Sequence, residues 1–360
     1  MRGGGAFWKR RIQFAHTYED IISVENLLSA WCEFLKGKRH KRDVQEFQLR
    51  LMDNILALHR DLRNKTYCHG GYKHFKIADP KPRDIHKASV RDRLLHHALY
   101  RQLYPFFGRT FIADSYSCRL RKGTHRAMNR FRACAYRESR NHTRTVWVLK
   151  CDIRKFFASI DHRVLGDILR RYIPDPNILW LLEQVISSFP PKPPHNIPTF
   201  SRMLECPKGL PLGNLTSQLL VNIYMNEFDQ FVKHRLKAKY YIRYADDFVI
   251  LSEDKNRLEE LLRYIVIILR DRLKLELHPD KVSITTLASG VDFLGWVHFP
   301  NHRVLRTTTK RRVLKRVRHN PKEESIQSYL GLLSHGNAQK LSAALCELEE
   351  RRGIEYTGSY

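Results

Sequence analysis

Two aspartates stand side by side between two strongly β-forming stretches of the chain. Asp246 and Asp247 lie at the centre of segment 240–251, whose apolar arms predict a strand-turn-strand hairpin. A third carboxylate, Asp152, ends another β-type run that begins at Thr145. Carboxylates at neighbouring strand ends suit Mg²⁺, and two such ions can clamp the attacking and leaving oxygens of phosphoryl transfer. The three aspartates therefore predict a two-metal site and a nucleic-acid polymerase.

The alternative for the Asp246-Asp247 pair is a solvated turn, because aspartate is common in short polar turns. The third acid, Asp152, favours the metal site instead. Asp161 has another interpretation, since it precedes an apolar helical pattern and is expected to be a helix N-cap. Phe157 follows Asp152 by five positions, so it either stands beside the metal site or packs in the core.

The charge of the chain indicates a polyanionic partner. Its 360 residues carry a formal net charge of +27 at pH 7, and neutralising phosphates with release of counterions drives binding to nucleic acids. A basic membrane-surface protein is the competing interpretation, but no apolar run could span a bilayer and no secretory leader is recognisable. Seven dispersed cysteines without a C-x-x-C pair favour reduced thiols. We expect no membrane association and a cytoplasmic location.

The N-terminal part of the chain is predicted to be mainly helical. Apolar residues recur at helical spacing over 18–36, and a second helix is expected from Asp43, where Glu46 would complete a capping box. A β-like stretch then precedes a helix over 91–104, with Asp92 on its surface. These helices are interpreted as a packing platform without chemistry of their own.

The central part of the chain predicts the sheet that carries the three acids. From strand 145–152 onward, the order is strand, helix, strand hairpin, helix, strand, which is the split βαβ pattern of an α+β protein. Helix 258–273 is amphipathic, and the last strand is expected within 274–285. We expect a mainly antiparallel sheet with its helices on one face.

A glycine-rich loop over 208–218 is a candidate for close approach to a ligand. Gly209 and Gly213 frame a proline, and Thr216 opens a helix, so the loop would deliver backbone groups to a nucleotide or a primer end. The proline-rich stretch 189–200 before it is predicted to be an exposed loop.

Two basic segments are candidates for phosphate contact. A loop around Gly123 offers the cations of Arg121, Lys122 and Arg126, although a solvated loop is the alternative. From Arg303 to Lys322 every charged residue is basic, which predicts a loop leading into a helix that follows a phosphate backbone. The cations assigned to that helix are Lys310, Arg311, Arg312, Lys315 and Arg316.

Taken in order along the chain, these motifs resemble those of reverse transcriptases. They are Asp152 with Phe156-Phe157, the Gly209–Gln218 loop, Tyr244-Ala245-Asp246-Asp247, Lys281 and Phe293-Leu294-Gly295-Trp296. The resemblance implies an α+β right-hand polymerase with fingers, palm and thumb, an RRM-like split βαβ palm and a helical thumb. It implies an N-terminal basic arm and helical extension over 1–60, fingers and palm over 61–300, and a basic thumb over 301–360.

The resemblance also implies substrates and residue roles. An RNA template, a primer extended into cDNA, dNTPs and two Mg²⁺ ions would bind, with Mn²⁺ as a substitute ion. Asp152, Asp246 and Asp247 would hold the metals, Lys281 would protonate the pyrophosphate leaving group, and Phe157 would be the steric gate against a ribose 2′-hydroxyl. The positions that match the nucleotide site are Arg83, Phe157, Leu212, Gly213 and Gln218.

Within that superfamily the sequence looks like the reverse transcriptases of diversity-generating retroelements. The motifs are Arg121–Arg126, Leu212–Gln218, and Ser328-Tyr329-Leu330-Gly331 with Ser334-His335-Gly336-Asn337. Gln218 replaces the Ser-Pro ending usual in group II intron and retron enzymes, and Leu212 replaces a glutamine common in accurate retroviral enzymes. This subtype implies adenine-directed errors and a small accessory protein oligomer. The alternatives are a host-defence, retron or group II intron-type enzyme, and an inactive RNA-binding protein with a polymerase fold.

Overall fold

The computed structural model describes residues 12–77, 82–189, 207–319 and 323–346. The described residues fall into two compact units. The first comprises the described residues within Met1–Ala113, Ile153–Arg235 and Val266–Leu277, and the second those within Asp114–Asp152, Leu236–Ile265 and His278–Tyr360. The proline-rich loop expected over 189–200 lies, from 190 onward, outside the described residues.

Helices and strands alternate along the chain. The helices are α1 Tyr18–Ile22, α2 Val24–Phe34, α3 Arg42–Leu49, α4 Leu51–Arg63, α5 Val90–Thr110, α6 Thr124–Glu138, α7 Phe156–Ser159, α8 His162–Arg170, α9 Pro176–Ser187, α10 Leu215–Gln230, α11 Lys255–Leu273, α12 Thr307–His319 and α13 Glu323–Leu333. The strands are β1 Lys73–Ile77, β2 Arg83–Lys87, β3 Trp147–Asp152, β4 Tyr240–Tyr244, β5 Asp247–Ser252, β6 Ser283–Thr286, β7 Val291–Phe293, β8 Trp296–His298 and β9 Arg303–Leu305. None of the described helices is long and apolar enough to cross a bilayer.

The N-terminal helices differ from the sequence prediction at their ends. The single pattern over 18–36 is broken at Ser23, whose hydroxyl caps α2 by accepting from the Asn26 amide at 3.2 Å. The expected N-cap at Asp43 is wrong, because α3 begins at Arg42 without a side-chain cap. The Asp43 carboxylate instead forms ion pairs with Lys87 and Arg93 of the same unit. A tertiary ion pair has therefore replaced the local capping bond.

Asp92 was expected on the surface of its helix, and this prediction is wrong. The residue is 1% exposed and its carboxylate accepts hydrogen bonds from Tyr67 Oη at 2.8 Å, Ser89 Oγ at 2.6 Å and the Gly70 amide at 3.2 Å. Buried carboxylates persist when their oxygens are hydrogen-bonded. Asp92 thus fixes the first turn of α5 against the segment that leads into β1.

The four-stranded sheet of the second unit confirms the split βαβ prediction. Its strand order is β4-β5-β3-β6, with every pair antiparallel, as a strand-helix-hairpin-helix-strand chain produces. Apolar side chains of β3, β4 and β5, including Val148, Ile242 and Val249, pack in one core cluster with Phe131 of α6. Because side chains alternate between the two faces of a sheet, the pleat determines which residues lie at the end of the sheet beside the β4–β5 turn.

A second, three-stranded sheet of order β7-β8-β9 precedes the basic helix. Arg303 belongs to strand β9, so the loop expected there is wrong; β9 pairs with β8, and Trp296 lies opposite Leu305. Helix α12 buries Val313 and Val317 in a core cluster that also contains Trp296. Its exposed basic side chains include Lys310, Arg311, Lys315 and Arg316.

Candidate active site

The three aspartates predicted to bind metal lie at one end of the central strand pair. β3 and β5 run antiparallel with Asp152 directly opposite Asp247. Tyr244 pairs with Asp247 across the β4–β5 hairpin, which leaves Ala245 and Asp246 as a two-residue turn. The structure therefore brings Asp152 and the hairpin acids together, as the sequence predicted.

A buried arginine that is not among the predicted site residues shapes that turn. Arg243 is 1% exposed, and its guanidinium donates to the Ala245 carbonyl at 2.9 Å and to Ser115 Oγ at 3.1 Å. Ala245 has φ of +56°, a region that non-glycine residues rarely adopt. The Ala245 carbonyl, which belongs to this strained backbone, is thus held by the buried Arg243 guanidinium. The available signal was an arginine inside the apolar strand Tyr240–Tyr244.

Backbone hydrogen bonds connect the same arginine to the basic segment before α6. The Arg243 amide donates to the Asp114 carbonyl, and the Arg243 carbonyl accepts from the Tyr116 amide, both at 2.9 Å. Asp114 in turn accepts two hydrogen bonds from Arg130 of α6, at 2.8 and 3.1 Å. Residues 114–116 therefore extend the sheet beside the aspartate turn.

Asp247 has a buried carboxylate oxygen that the described residues leave unsatisfied. Its Oδ1 is inaccessible to solvent and has no hydrogen-bond partner among the described residues. Burial raises the pKa of Asp247 to about 7; the Lys150 ammonium acts against this rise, and the carboxylates of Asp152 and Asp246 add to it. A hard cation would supply the partner that this oxygen lacks, so the residues present suit Mg²⁺.

Asp152 is engaged by a lysine that the sequence analysis placed in the same site. Lys281 Nζ lies 2.9 Å from Asp152 Oδ1, at the end of a 3₁₀ turn over Pro279–Lys281. The Asp152 carbonyl also accepts from the His278 amide at 2.8 Å, which fixes the turn to the strand end. Within the described ranges, no three His, Cys, Asp or Glu side chains converge as a ready metal cage. Lys281 thus occupies one oxygen of the Asp152 carboxylate.

The residues predicted to contact the nucleotide belong to the first unit and are tied together by backbone bonds. Leu210 donates its amide to the Phe157 carbonyl at 2.8 Å, and His86 of β2 donates its amide to the Leu212 carbonyl at 3.0 Å. Asn214 Nδ2 donates to the His86 carbonyl, also at 3.0 Å. The loop therefore joins the Phe157 segment on one side and strand β2 on the other.

Gly213 and the other residues predicted to contact the nucleotide lie in this loop or in the segments that it joins. Gly213 has φ of +106°, and a Cβ there would lie 2.9 Å from the Ile85 side chain, so only glycine fits. Arg83 is exposed at the start of β2, Gln218 is half-buried in the first turn of α10, and Phe157 is half-buried in α7.

Asp161 caps α8 by accepting from the Arg163 and Val164 amides at 3.0 Å, as predicted.

The predicted phosphate contacts are accessible cations of the second unit. Arg121 and Arg126 are exposed, and the Arg126 guanidinium donates to the Arg121 carbonyl. Lys122 Nζ lies 4.8 Å from the centre of the Tyr116 ring. Helix α6 begins at Thr124, so Arg126 is in its first turn and not in a loop. On α12, Arg312 is half-buried, and the exposed cations are Lys310, Arg311, Lys315 and Arg316.

Comparison with known proteins identifies the family. Residues 76–298, more than half of the chain, match the profile of the reverse transcriptase (RNA-dependent DNA polymerase) family. The chain belongs to this family, and its membership confirms the predictions of a right-hand α+β polymerase fold and of an RNA-directed DNA polymerase, a nucleotidyltransferase.

Individual relatives are distant. Protein YkfC of Escherichia coli K12 is 27% identical over 278 residues, which cover 68% of this chain and 69% of that protein. The group II intron-encoded protein LtrA of Lactococcus lactis is 23% identical over 312 residues, covering 68% of this chain and 49% of LtrA. The chain thus spans about half the length of LtrA. Among solved structures, apo telomerase from Candida tropicalis has a TM-score of 0.45 at 11% identity, over 64% of this chain and 47% of that chain.

Proposed function

We propose that this protein copies a template RNA into cDNA by two-metal nucleotidyl transfer. The observation that carries the proposal is the pairing of Asp152 with Asp247 at the strand ends, together with the unpartnered Oδ1 of Asp247. Asp152, Asp246 and Asp247 would hold two Mg²⁺ ions, with Mn²⁺ as a substitute. When bound, these ions supply charge stabilisation to the attacking 3′-oxygen and the leaving pyrophosphate.

The chain's own residues would position the reactants and move one proton. Lys281 Nζ would donate its proton to the pyrophosphate leaving group, and its ion pair with Asp152 keeps the ammonium at the strand end. Arg83, Leu212, Gly213 and Gln218 would contact the incoming dNTP, and the Phe157 ring would exclude a ribose 2′-hydroxyl.

The nucleic-acid strands would be held by cations along their phosphates. Arg121, Lys122 and Arg126 are assigned to the template or the nucleotide phosphates, and the exposed side of α12 is assigned to the primer–template backbone. In this proposal 1–60 is an N-terminal extension, 61–300 forms fingers and palm, and 301–360 forms the thumb. The cell interior is the proposed location.

The finer proposal is that the cDNA is error-prone and serves a diversity-generating retroelement. Leu212 supports it, because an apolar side chain cannot give the polar contact that a glutamine would provide. Gln218 and the Ser334–Asn337 motif support it as well. A small accessory protein oligomer would then be a partner.

A group II intron-type role is the second candidate, and the similarity to LtrA favours it. The two candidates differ in the errors they predict. The test is extension of a DNA primer on an RNA template with Mg²⁺ and dNTPs, followed by sequencing of the cDNA. A clear excess of errors opposite template adenines supports the diversifying role, whereas accurate copying supports the intron-type role, and absence of any extension rejects both.

A further inference from the structure

The second unit contains a cavity of about 300 Å³ that the proposed polymerase chemistry does not use. Three segments and Leu287 line it. The segments are α6 through Phe131, Arg132 and Ala135, the stretch from His298 to Arg303 that connects β8 to β9, and the Ser334–Asn337 turn. The turn is the motif that stood out in the sequence without a chemical role. The volume of the cavity lies at the lower end of the range for small-ligand sites.

Specific contacts hold the turn in place as one wall of the cavity. Asn337 donates its amide to the Arg303 carbonyl at 2.8 Å, and Arg303 Nε donates to the His335 carbonyl. A Cβ on Gly336 would lie 2.1 Å from the Trp296 ring, so the chain can pass there only as glycine. Gly336 and Asn337 are therefore explained by packing, and the cavity is a built feature of the fold.

The titratable side chains that line the cavity are all of basic type. Two arginines and three histidines line the cavity, and no aspartate or glutamate is among the lining residues. Arg303 Nη1 donates to Asn129 Oδ1 at 3.1 Å and its Nε donates to the His335 carbonyl, and both of these acceptors are uncharged. Burial, and then the nearby Arg132 guanidinium, lowers the pKa of Arg303. Two close guanidinium groups without an acid favour a bound anion.

An aromatic surface lies in the same cavity. The rings of Phe299 and His302 stack with their centres 4.8 Å apart and their planes 13° from parallel. Stacked rings beside arginines are typical of sites that bind a nucleobase and its phosphate together. A simple inorganic anion would leave this surface unused.

The histidines do not form a metal site. His298 is 3% exposed, its Nε2 lies 3.2 Å from the Phe293 carbonyl, and burial lowers its pKa to about 4, so the ring is neutral and donates to that carbonyl. Among the described residues that line the cavity, the histidines do not belong to any group of three converging metal ligands. The polar lining likewise excludes a purely apolar ligand.

We propose that this cavity binds one nucleotide unit of a single-stranded nucleic acid, with its phosphate at Arg132 and Arg303 and its base on Phe299 and His302. The site is separate from the aspartate strand ends and does not depend on the polymerase activity. It would hold an RNA or DNA strand at a fixed point of the second unit.

The test uses the full chain, in EDTA and without dNTPs, so that loss of catalysis cannot affect the result. Binding of a short fluorescent single-stranded RNA, and of DNA of the same sequence, is measured by anisotropy over a range of salt concentrations. Arg132→Gln should weaken binding several-fold and reduce the slope of log K against log salt by about 0.7, the value for one lost phosphate contact on a single strand. Whichever strand type shows this change is the source of the nucleotide.

Arg137→Gln is the matched control, since it removes the same charge from the exposed end of α6 outside the cavity. Its slope should equal that of the wild type, and equal slopes for both variants on both strands would overturn the proposal. His302→Ala should weaken binding, because it removes the ring on which the base would stack. Unchanged affinity in His302→Ala would reject the base contact. Thermal unfolding of each variant confirms that it is folded.

Discussion

The buried guanidinium of Arg243 donates to the Ala245 carbonyl at 2.9 Å, within the turn that presents Asp246. Because Ala245 has a left-handed backbone, the turn depends on outside contacts to keep its shape. Arg243 is therefore a positioning residue for the aspartates, although it reaches no reacting atom itself.

Arg243→Lys should lower the rate of primer extension by roughly 10²-fold, the loss expected when reacting groups shift by about 1 Å. Lysine keeps the charge but cannot reproduce the planar fork of donors. Single-nucleotide addition on an RNA template measures the rate. Ser115→Ala is the control, since it removes a different guanidinium contact, at 3.1 Å, and should leave the rate near wild type. Wild-type extension by Arg243→Lys would contradict the positioning role.

Phe157→Ala should increase incorporation of ribonucleotides relative to deoxyribonucleotides by about 10- to 200-fold, the range over which pockets discriminate small groups. The half-buried ring would otherwise collide with a 2′-hydroxyl. The ratio of kcat/KM values for rNTP and dNTP measures the change. Phe156→Leu is the control, because Phe156 is buried and its substitution should reduce stability without changing that ratio. An unchanged kcat/KM ratio in Phe157→Ala would show that Phe157 only packs against its neighbours and does not select the sugar.

Leu212→Gln should reduce errors opposite template adenines while leaving extension active. The Leu212 carbonyl is already bonded to the His86 amide, so the substitution changes the side chain and not the loop. Deep sequencing of cDNA made by the two proteins measures the error spectrum. The same error rate at adenines in both proteins would show that Leu212 does not set fidelity.

His96→Gln should reduce the amount of folding stability that the protein loses as the pH falls. His96 is 1% exposed in α5, and burial, followed by the adjacent His69, lowers its pKa from 6.5 to about 3. The folded chain then binds fewer protons than the unfolded chain, so stability is lost as the pH falls below 6.5 towards 3. This group alone would cost about 2 kcal/mol between pH 7 and pH 5.

Urea unfolding across that pH range measures the effect. The exposed His40 provides the comparison, and His40→Gln should keep the wild-type slope. If His96→Gln and wild type lose stability equally between pH 7 and pH 5, the buried histidine does not contribute to the acid sensitivity.

The sequence was sufficient for features that depend on local pattern. Runs of apolar, β-forming residues located β3, β4 and β5, and the acids at the ends of these runs predicted that Asp152 and Asp247 lie at neighbouring strand ends. The Asp161 cap was also predictable, because its partners are two and three residues away.

Features that depend on distant partners could not be predicted. Asp43 fitted a capping box, yet Lys87 and Arg93 compete for its carboxylate. Asp92 was expected in solvent, but Tyr67 and Gly70 enclose it through contacts more than twenty positions away. A sequence pattern indicates which local hydrogen bonds can form. Tertiary ion pairs and burial depend on the completed fold.

The most direct test of the central claim is Asp246→Ala in RNA-templated primer extension with Mg²⁺ and dNTPs. Loss of one metal-holding carboxylate should remove several kcal/mol of transition-state stabilisation, so extension should fall by at least about 10³-fold. Asp53→Ala makes the same change on the exposed surface of α4 and should extend normally. Extension by Asp246→Ala at the wild-type rate would contradict the assignment of these aspartates as the polymerase metal site.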